Sequence, residues 1–282
     1  MPPKKLLFGQ ERQAAGIGLK SLIAITSLVG GCIGSLWSKA SWTVSNNTSS
    51  KSVIVLDAAT SIDAATSNVT GCPSLMAGVG VPTFKTRGDL GNVMQSEGFT
   101  VGVELGVQNG HYAAEMLTNW PNCTEYNLVD LWGHQENYHD FANADQETQD
   151  LIYADAMNNV KPWEEKIKVC RNYTTECVKT YDDGYFDFIY VDARHDFKGV
   201  SVDLAAYWPK LKVGGIMAGH DYVTQDDGPE GGGQDWTTNF DGTKDLTRTV
   251  VKGAVDAFAA SVCRQVTVSY REDSWNSWAI RR

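Results

Sequence analysis

From about residue 86 onward, short apolar runs alternate with helical stretches, and this alternation restricts the fold more than any other feature of the chain. GDLGNVMQSEG reads as a helix stopped at Gly98, TVGVELGV (100–107) as a buried strand and HYAAEMLTNW as a helix. EYNLVDLW (125–132) is a second strand, about 145–165 a polar helix, and KIKVCRN (166–172) a third strand. TTECVKTY makes a short helix, FDFIYVDA (186–193) a fourth strand, VSVDLAAYWPKL a helix and GGIMAGHDY (214–222) a fifth strand. After a Gly/Asp-rich loop (225–245), TRTVVKGAVDAFAAS is a helix, and RQVTVSYRE and NSWAIRR are two strands about a tight turn at 273–276. Strands with no polar alternation are buried on both faces, and helices between them fit a parallel sheet covered on both sides. The expected class is therefore α/β: a doubly wound, mostly parallel sheet with an antiparallel C-terminal hairpin strand. Ligands of such sheets sit beyond the carboxyl ends of the strands, where Glu104, Gly106, Asp130, Asp192 and Asp221 fall.

A chain of 282 residues holds one sizeable α/β domain with an appendage, and scarcely two full domains. Its formal net charge of −10 repels a phosphate backbone, which argues against nucleic acid as a partner. The six cysteines form no C-x-x-C pair and have no matching His pair, so structural zinc has no support. Cys170 and Cys177 stand close enough to bridge in an oxidising compartment; buried thiols are the other reading.

Four segments follow from composition. Residues 1–20 are a basic tail, 21–37 an apolar run, 38–85 a Ser/Thr/Asn-rich stem and 86–282 the folded domain. The run SLIAITSLVGGCIGSLW carries no charge, and at about 1.5 Å per residue it reaches roughly 25 Å, the lower limit for a bilayer core. With Lys4, Lys5, Arg12 and Lys20 before it and Trp37 at its end, it predicts an N-terminal hydrophobic helix acting as a signal-anchor. The protein would then be single-pass, membrane-bound through 21–37, with its domain in the lumen of the endoplasmic reticulum or Golgi. A cleaved signal peptide or an organellar transit peptide are rival readings, giving a secreted or organelle-targeted chain. Sequons at Asn46, Asn47, Asn68, Asn122 and Asn172 fit a secreted glycoprotein. A glycan at Asn172, however, would close off a nucleoside pocket beside the third strand.

Three constellations carry chemistry. In V-E-L-G-V-Q-N-G (103–110), Gly106 and Gly110 allow a sharp turn and close approach of backbone to a ligand at a helix start. It is not the G-x-G-x-x-G dinucleotide fingerprint, since Gln108 interrupts it. Asp130, closing the second strand, is placed to accept both hydroxyls of a ribose. Y-V-D-A-R-H-D (190–196) and G-G-I-M-A-G-H-D-Y (214–222) bring Asp192, His195, His220 and Asp221 to one rim. Carboxylates with imidazole suit a hard cation such as Mg²⁺ or Mn²⁺. One histidine is alternatively a general base.

The order E-L-G-x-x-x-G, L-V-D, F-D-F-I-Y-V-D-A-R-H, W-P-K-L-K-V-G-G-I and A-G-H-D-Y resembles the class I S-adenosylmethionine-dependent methyltransferases, which have a Rossmann-like sheet. It looks most like the branch of the macrolide-sugar O-methyltransferases, and more distantly catechol O-methyltransferase. The resemblance implies that Glu104, Gly106 and Gly110 shape the methionine pocket, that Asp130 holds the ribose and that Asp192 also contacts the cofactor. It also implies that Asp192 and Asp221, with His220 beside them, bind a divalent metal, and that His195 sits near the acceptor hydroxyl as the catalytic base, with Asp192 at its side. Tyr222 stands where metal-dependent relatives often carry a second Asp or Asn.

The expected activity is methylation of a small-molecule or glycan hydroxyl by in-line transfer from S-adenosylmethionine. A nicotinamide-dependent oxidoreductase and a catalytically silent, membrane-tethered binding domain are the alternatives. The loop 225–245 reads as a mobile substrate lid or a disordered insertion, with Trp236 and Phe240 stacking on an acceptor ring or packing the lid down.

Overall fold

The computed structural model describes residues 80–228, 232–272 and 275–282. The basic tail, the apolar run 21–37 and most of the stem lie outside the described residues, as does part of the turn expected at 273–276. In chain order the elements are α1 (Leu90–Ser96), β1 (Val101–Leu105), α2 (His111–Asn119), β2 (Glu125–Asp130), α3 (Gln146–Asn159), β3 (Ile167–Arg171) and α4 (Thr174–Cys177). They continue with β4 (Phe186–Val191), α5 (Phe197–Tyr207), β5 (Leu211–Gly219), α6 (Val250–Ser261), β6 (Thr267–Val268) and β7 (Trp278–Arg281).

The seven strands lie in the order β3-β2-β1-β4-β5-β7-β6, with β1 to β5 parallel and β7 antiparallel to β5. This is the expected doubly wound α/β sheet with its antiparallel C-terminal strand. Chain order reverses at β1, whose neighbours β2 and β4 continue in opposite directions, and a cleft opens there. Register does the rest. Leu105 is level with both Val129 and Val191, so Gly106, Asp130 and Asp192 follow side by side on three adjacent strands. Val191 is level with Gly219, which brings His220 and Asp221 to the same rim.

Successive strand residues point to opposite faces, and two cores result. Val103, Leu105, Ile189 and Met217 pack with α5 and α6, while Tyr126, Leu128, Phe188 and Tyr190 pack with α1 and α2. Val81 and Phe84 are buried in the second core, so packing begins just ahead of residue 86. Glu104 alternates into that second core, which is why a carboxyl lies among tyrosines there.

Boundaries differ from expectation for local reasons. The helix expected over 200–211 stops at Tyr207, because Pro209 lies in a 3₁₀ turn (Trp208–Lys210) and cannot donate to a continuing helix; β5 then starts at Leu211. The helix expected to reach 165 ends at Asn159, ahead of Pro162. The run RQVTVSYRE contributes two residues to the sheet. Beyond them the amides of Tyr270 and Arg271 donate to the Lys85 carbonyl at 3.2 and 2.9 Å, which pulls the chain off the sheet edge. Cys170 and Cys177 are disulfide-bonded across β3 and α4, Cys263 is also disulfide-bonded, and Cys123 is a buried free thiol.

The expected single-pass, lumen-facing membrane placement is corrected: among the described residues no helix is long and apolar enough to cross a membrane. The longest, α3, has 14 mostly polar residues, about 21 Å of helix against a bilayer core of roughly 30 Å.

Candidate active site

The cleft at the strand reversal has a volume of about 1120 Å³ and is lined by Glu104, Gly106, Asp130, Asp192, His195, His220 and Asp221. Its floor is the turn after β1. Gly106 has φ +85°, and a Cβ there would stand 2.0 Å from the Asp192 carbonyl oxygen, so only glycine fits. Gly110 (φ +72°) ends the turn immediately before α2. Between them Gln108 takes a left-handed φ of +49° without being glycine. Asp130 holds that turn: Oδ2 accepts from the amides of Val107 (2.8 Å) and Gln108 (3.0 Å), and Oδ1 from Trp132 (2.7 Å). Burial pushes its carboxyl up, against these three bonds. The ribose-binding expectation thus falls on a carboxylate that also shapes the glycine turn. Glu104 lies deeper. It accepts from the Tyr126 hydroxyl (3.1 Å), and burial drives its carboxyl well above the usual range.

His195 lies at the centre of the opposite wall. Its Nε2 is 3.1 Å from Asp221 Oδ2 and 3.4 Å from Asp192 Oδ1; its Nδ1 is 2.9 Å from the Tyr138 hydroxyl and 3.2 Å from Asp140 Oδ2. Burial opposes charge on the imidazole, but Tyr138 and the carboxylates of Asp221, Asp140 and Asp192 prevail and raise it well above the usual range. Asp221, conversely, is buried yet held far below the usual carboxylate range by His195 and His220. His220 Nδ1 lies 2.8 Å from Asp221 Oδ1. Asp192, His195 and Asp221 offer ligand atoms within 4.8 Å of one another; His220 lines the cleft and pairs with Asp221 beside this trio instead of joining it. Tyr222 turns away from the trio, and its hydroxyl donates to Asp256 on α6.

Sequence reading missed the groups that hold His195. Asp140 and Tyr138 come from the loop between β2 and α3, and Asp140 Oδ2 also accepts from the Trp236 indole N–H at 2.7 Å. Trp236 is 2% exposed, its ring tilted 4.3 Å from that of His195 and edge-on to Trp275 at 5.4 Å. It therefore packs its loop down and does not present a face to an acceptor, whereas Phe240 is 45% exposed at the mouth. The described part of 225–245 is tied to the β2–α3 loop by a bridge between His139 and Asp235 and by Asn137 Nδ2 donating to the Phe240 carbonyl at 3.2 Å. The available signal was the length of that loop, residues 131–145, with Tyr138, His139 and Asp140 in succession. Arg87, ahead of α1, was also missed; its guanidinium lies 3.4 Å from Asp192.

The residues fit a nucleoside cofactor with an amino-acid head. The glycine cradle tolerates no Cβ, and the Tyr112 hydroxyl beside the cleft is buried without a hydrogen-bond partner. The O, N and O donors of Asp192, His195 and Asp221 also fit a hard divalent cation.

Residues 103–222 match a family model described as a methyltransferase domain. No curated protein matches the chain. Among solved structures, one similar to it is a putative caffeoyl-CoA O-methyltransferase from Staphylococcus aureus (13% identity, 68% of this chain and 81% of that one, TM-score 0.46). Another is an O-methyltransferase from Bacillus cereus solved with SAH (12%, 70% and 80%, TM-score 0.48). A third is the N-methyltransferase NodS from Bradyrhizobium japonicum (10%, 70% and 94%, TM-score 0.45).

Proposed function

We propose that this chain, whose residues 103–222 match a methyltransferase-domain model, is a class I S-adenosylmethionine-dependent enzyme that methylates a hydroxyl of a small acceptor, a sugar or comparable polyol. The observation that carries this reading is one cleft in which a glycine turn at Gly106 faces His195 across Asp192. S-adenosylmethionine, when bound, would supply an electrophilic methyl group to the acceptor oxygen, the electron pair of its C–S bond leaving with sulfur.

The chain's own residues do the rest. The Gly106 turn packs against the Asp192 carbonyl at the cleft floor, where the donor would lie, and Asp130 fixes that turn through the amides of Val107 and Gln108. Aligning donor and acceptor contributes roughly 7–11 kcal/mol of barrier lowering, the largest share available to such a site. His195, oriented from behind by Tyr138 and Asp140, takes the acceptor's proton on Nε2. The carboxylates of Asp192 and Asp221 favour the charged imidazole, and positive charge beside them would favour release of its proton. A sulfonium would supply that charge, as would Mg²⁺ or Mn²⁺ held by the carboxylates of Asp192 and Asp221, which would also polarise the hydroxyl.

The test is calorimetric titration of the full chain with S-adenosylmethionine, with and without Mg²⁺, followed by detection of S-adenosylhomocysteine formed on a panel of monosaccharides and phenols. Micromolar binding lost in Asp130→Ala supports the reading. Absence of binding in folded protein overturns it.

A further inference from the structure

Two phenylalanines line the mouth of the cleft in contact with water, Phe141 at 79% exposure and Phe240 at 45%. Single exposed apolar side chains are ordinary on a protein surface. These two differ in how the chain holds them out. The Phe141 amide donates to Gln234 Oε1 at 3.3 Å. On its flanks the Ala142 amide donates to Asp140 Oδ1 and Asn143 Nδ2 to the Tyr138 carbonyl, each at 2.8 Å. Phe240 is fixed by its amide on Asp196 Oδ1 at 3.3 Å and by Asn137 Nδ2 on its carbonyl at 3.2 Å. Turning either segment inward would break these bonds, so the backbone keeps both rings at the rim. The same two loops organise the reacting end. Asp140, next to Phe141, lies 3.2 Å from His195 Nδ1 and accepts from the indole of Trp236, on the loop of Phe240.

Polarity changes with depth. Beside His195 stand the carboxylates of Asp140, Asp192 and Asp221 and the Tyr138 hydroxyl, while the Trp236 ring is covered between His195 and Trp275. An acceptor therefore meets hydrogen-bonding groups at its reacting oxygen and exposed apolar rings further out. A phenol, whose ring is bonded to the reacting oxygen, fits that order poorly; a polyol with an apolar substituent fits it well. The cleft is also unsuited to an anionic substituent. Among the described residues no lysine lines it, Arg194 is committed to Asp196, the Asn137 carbonyl and Gln135, and Arg87 pairs with Asp192. Glu136 stands exposed at the rim and repels negative charge.

We propose that Phe141 and Phe240 determine acceptor specificity by binding an uncharged apolar tail, so that the substrate is an amphipathic polyol with its hydroxyl head at His195. This rests on the hydroxyl-methylation reading above and narrows its acceptor class, setting aside free sugars and simple phenols. Covering the two rings with a tail removes apolar surface from water on both partners, which supplies the attraction.

The test titrates the full chain, saturated with S-adenosylhomocysteine, with n-octyl, phenyl and methyl β-D-glucosides, the first kept below its micelle-forming concentration. The octyl or the phenyl glucoside is expected to bind about 10- to 100-fold more tightly than the methyl, and the larger gain identifies the tail as alkyl or aryl. A carboxyl-terminated octyl glucoside loses most of the gain, because its charge would have to leave water. Phe141→Ser is expected to reduce the gain about tenfold and Phe141→Leu to keep most of it, with S-adenosylhomocysteine affinity within about twofold in both. Three results each overturn the acceptor class while the cofactor reading stands: no gain for either tail, a gain unchanged in Phe141→Ser, or tighter binding of catechol than of both tailed glucosides. A folded wild type that does not bind S-adenosylhomocysteine overturns both.

Discussion

On the β1–β3 side the cleft wall is made of backbone; on the β4–β5 side it is made of side chains. The first side is a glycine turn whose amides are gathered by one carboxylate, Asp130, and its connection from β1 to α2 is short. The second is His195 held by Tyr138, Asp140, Asp192 and Asp221, with Trp236 behind Asp140. Those residues come from four segments, two of them long loops that bond each other. A backbone wall suits a ligand of fixed shape. A side-chain wall is where acceptor choice and proton movement can be adjusted without disturbing the sheet.

If that division is right, damage on each side has its own signature. His195→Ala is expected to lower methyl transfer about 10²- to 10⁴-fold, the usual worth of a positioned acid–base group, with cofactor affinity within twofold; titration alongside turnover checks the split. A parallel loss of affinity would mean that the two walls are not separable.

Gly106→Val brings a side chain onto the Asp192 carbonyl and should abolish measurable cofactor binding, a loss of about a hundredfold or more. Retained affinity would show that the turn is not the cofactor's floor.

Asp203, on α5, belongs to neither the glycine turn nor the His195 cluster. This buried carboxyl beside α4 accepts from Thr174 Oγ1 at 2.5 Å, and burial pushes it up to about 7. Because the folded chain keeps a proton that the unfolded chain has lost, its stabilising contribution is complete below the ordinary carboxyl range and disappears as pH rises through 7. Asp203→Asn should therefore be more stable than wild type at pH 8, by roughly 1–3 kcal/mol, with the difference shrinking toward pH 4. Thermal melts across that range decide it; a pH-independent difference would contradict the assignment.

The smallest effect is expected from Trp236→Phe, which keeps a ring there and removes the N–H on Asp140. Turnover should fall a few-fold, about 1 kcal/mol, with no change in cofactor binding. An effect as large as that of His195→Ala would make the loop, and not the histidine, the main organiser of the acceptor wall.

The uneven legibility of the site follows from the same division. Gly106, Gly110 and Asp130 could be read from the chain because a strand, a sharp turn and a helix are consecutive, and local sterics dictate their residue types. Asp192, His195, His220 and Asp221 could be placed at one rim because strand ends in a parallel sheet share an edge. Asp140 and Arg87 could not, and the choice between the two readings of Trp236 could not be made, since each reaches the cleft through contacts spanning 55 to 105 residues of sequence. His220 shows the limit: adjacency put it at the rim, where it lines the cleft and pairs with Asp221, but the cluster of close ligand atoms is Asp192, His195 and Asp221.

What the chain alone determined is the alternation of strand and helix, hence the parallel sheet, its antiparallel end and the edge at which chemistry collects. These depend on hydrophobic period and turn chemistry, which act over a few residues. Only the tertiary structure decided where β5 began, which histidine clusters with both Asp192 and Asp221, and that Arg87 and Asp140 reach the site. Those outcomes depend on register, loop docking and buried charge balance, and each requires segments far apart in sequence to be already in place.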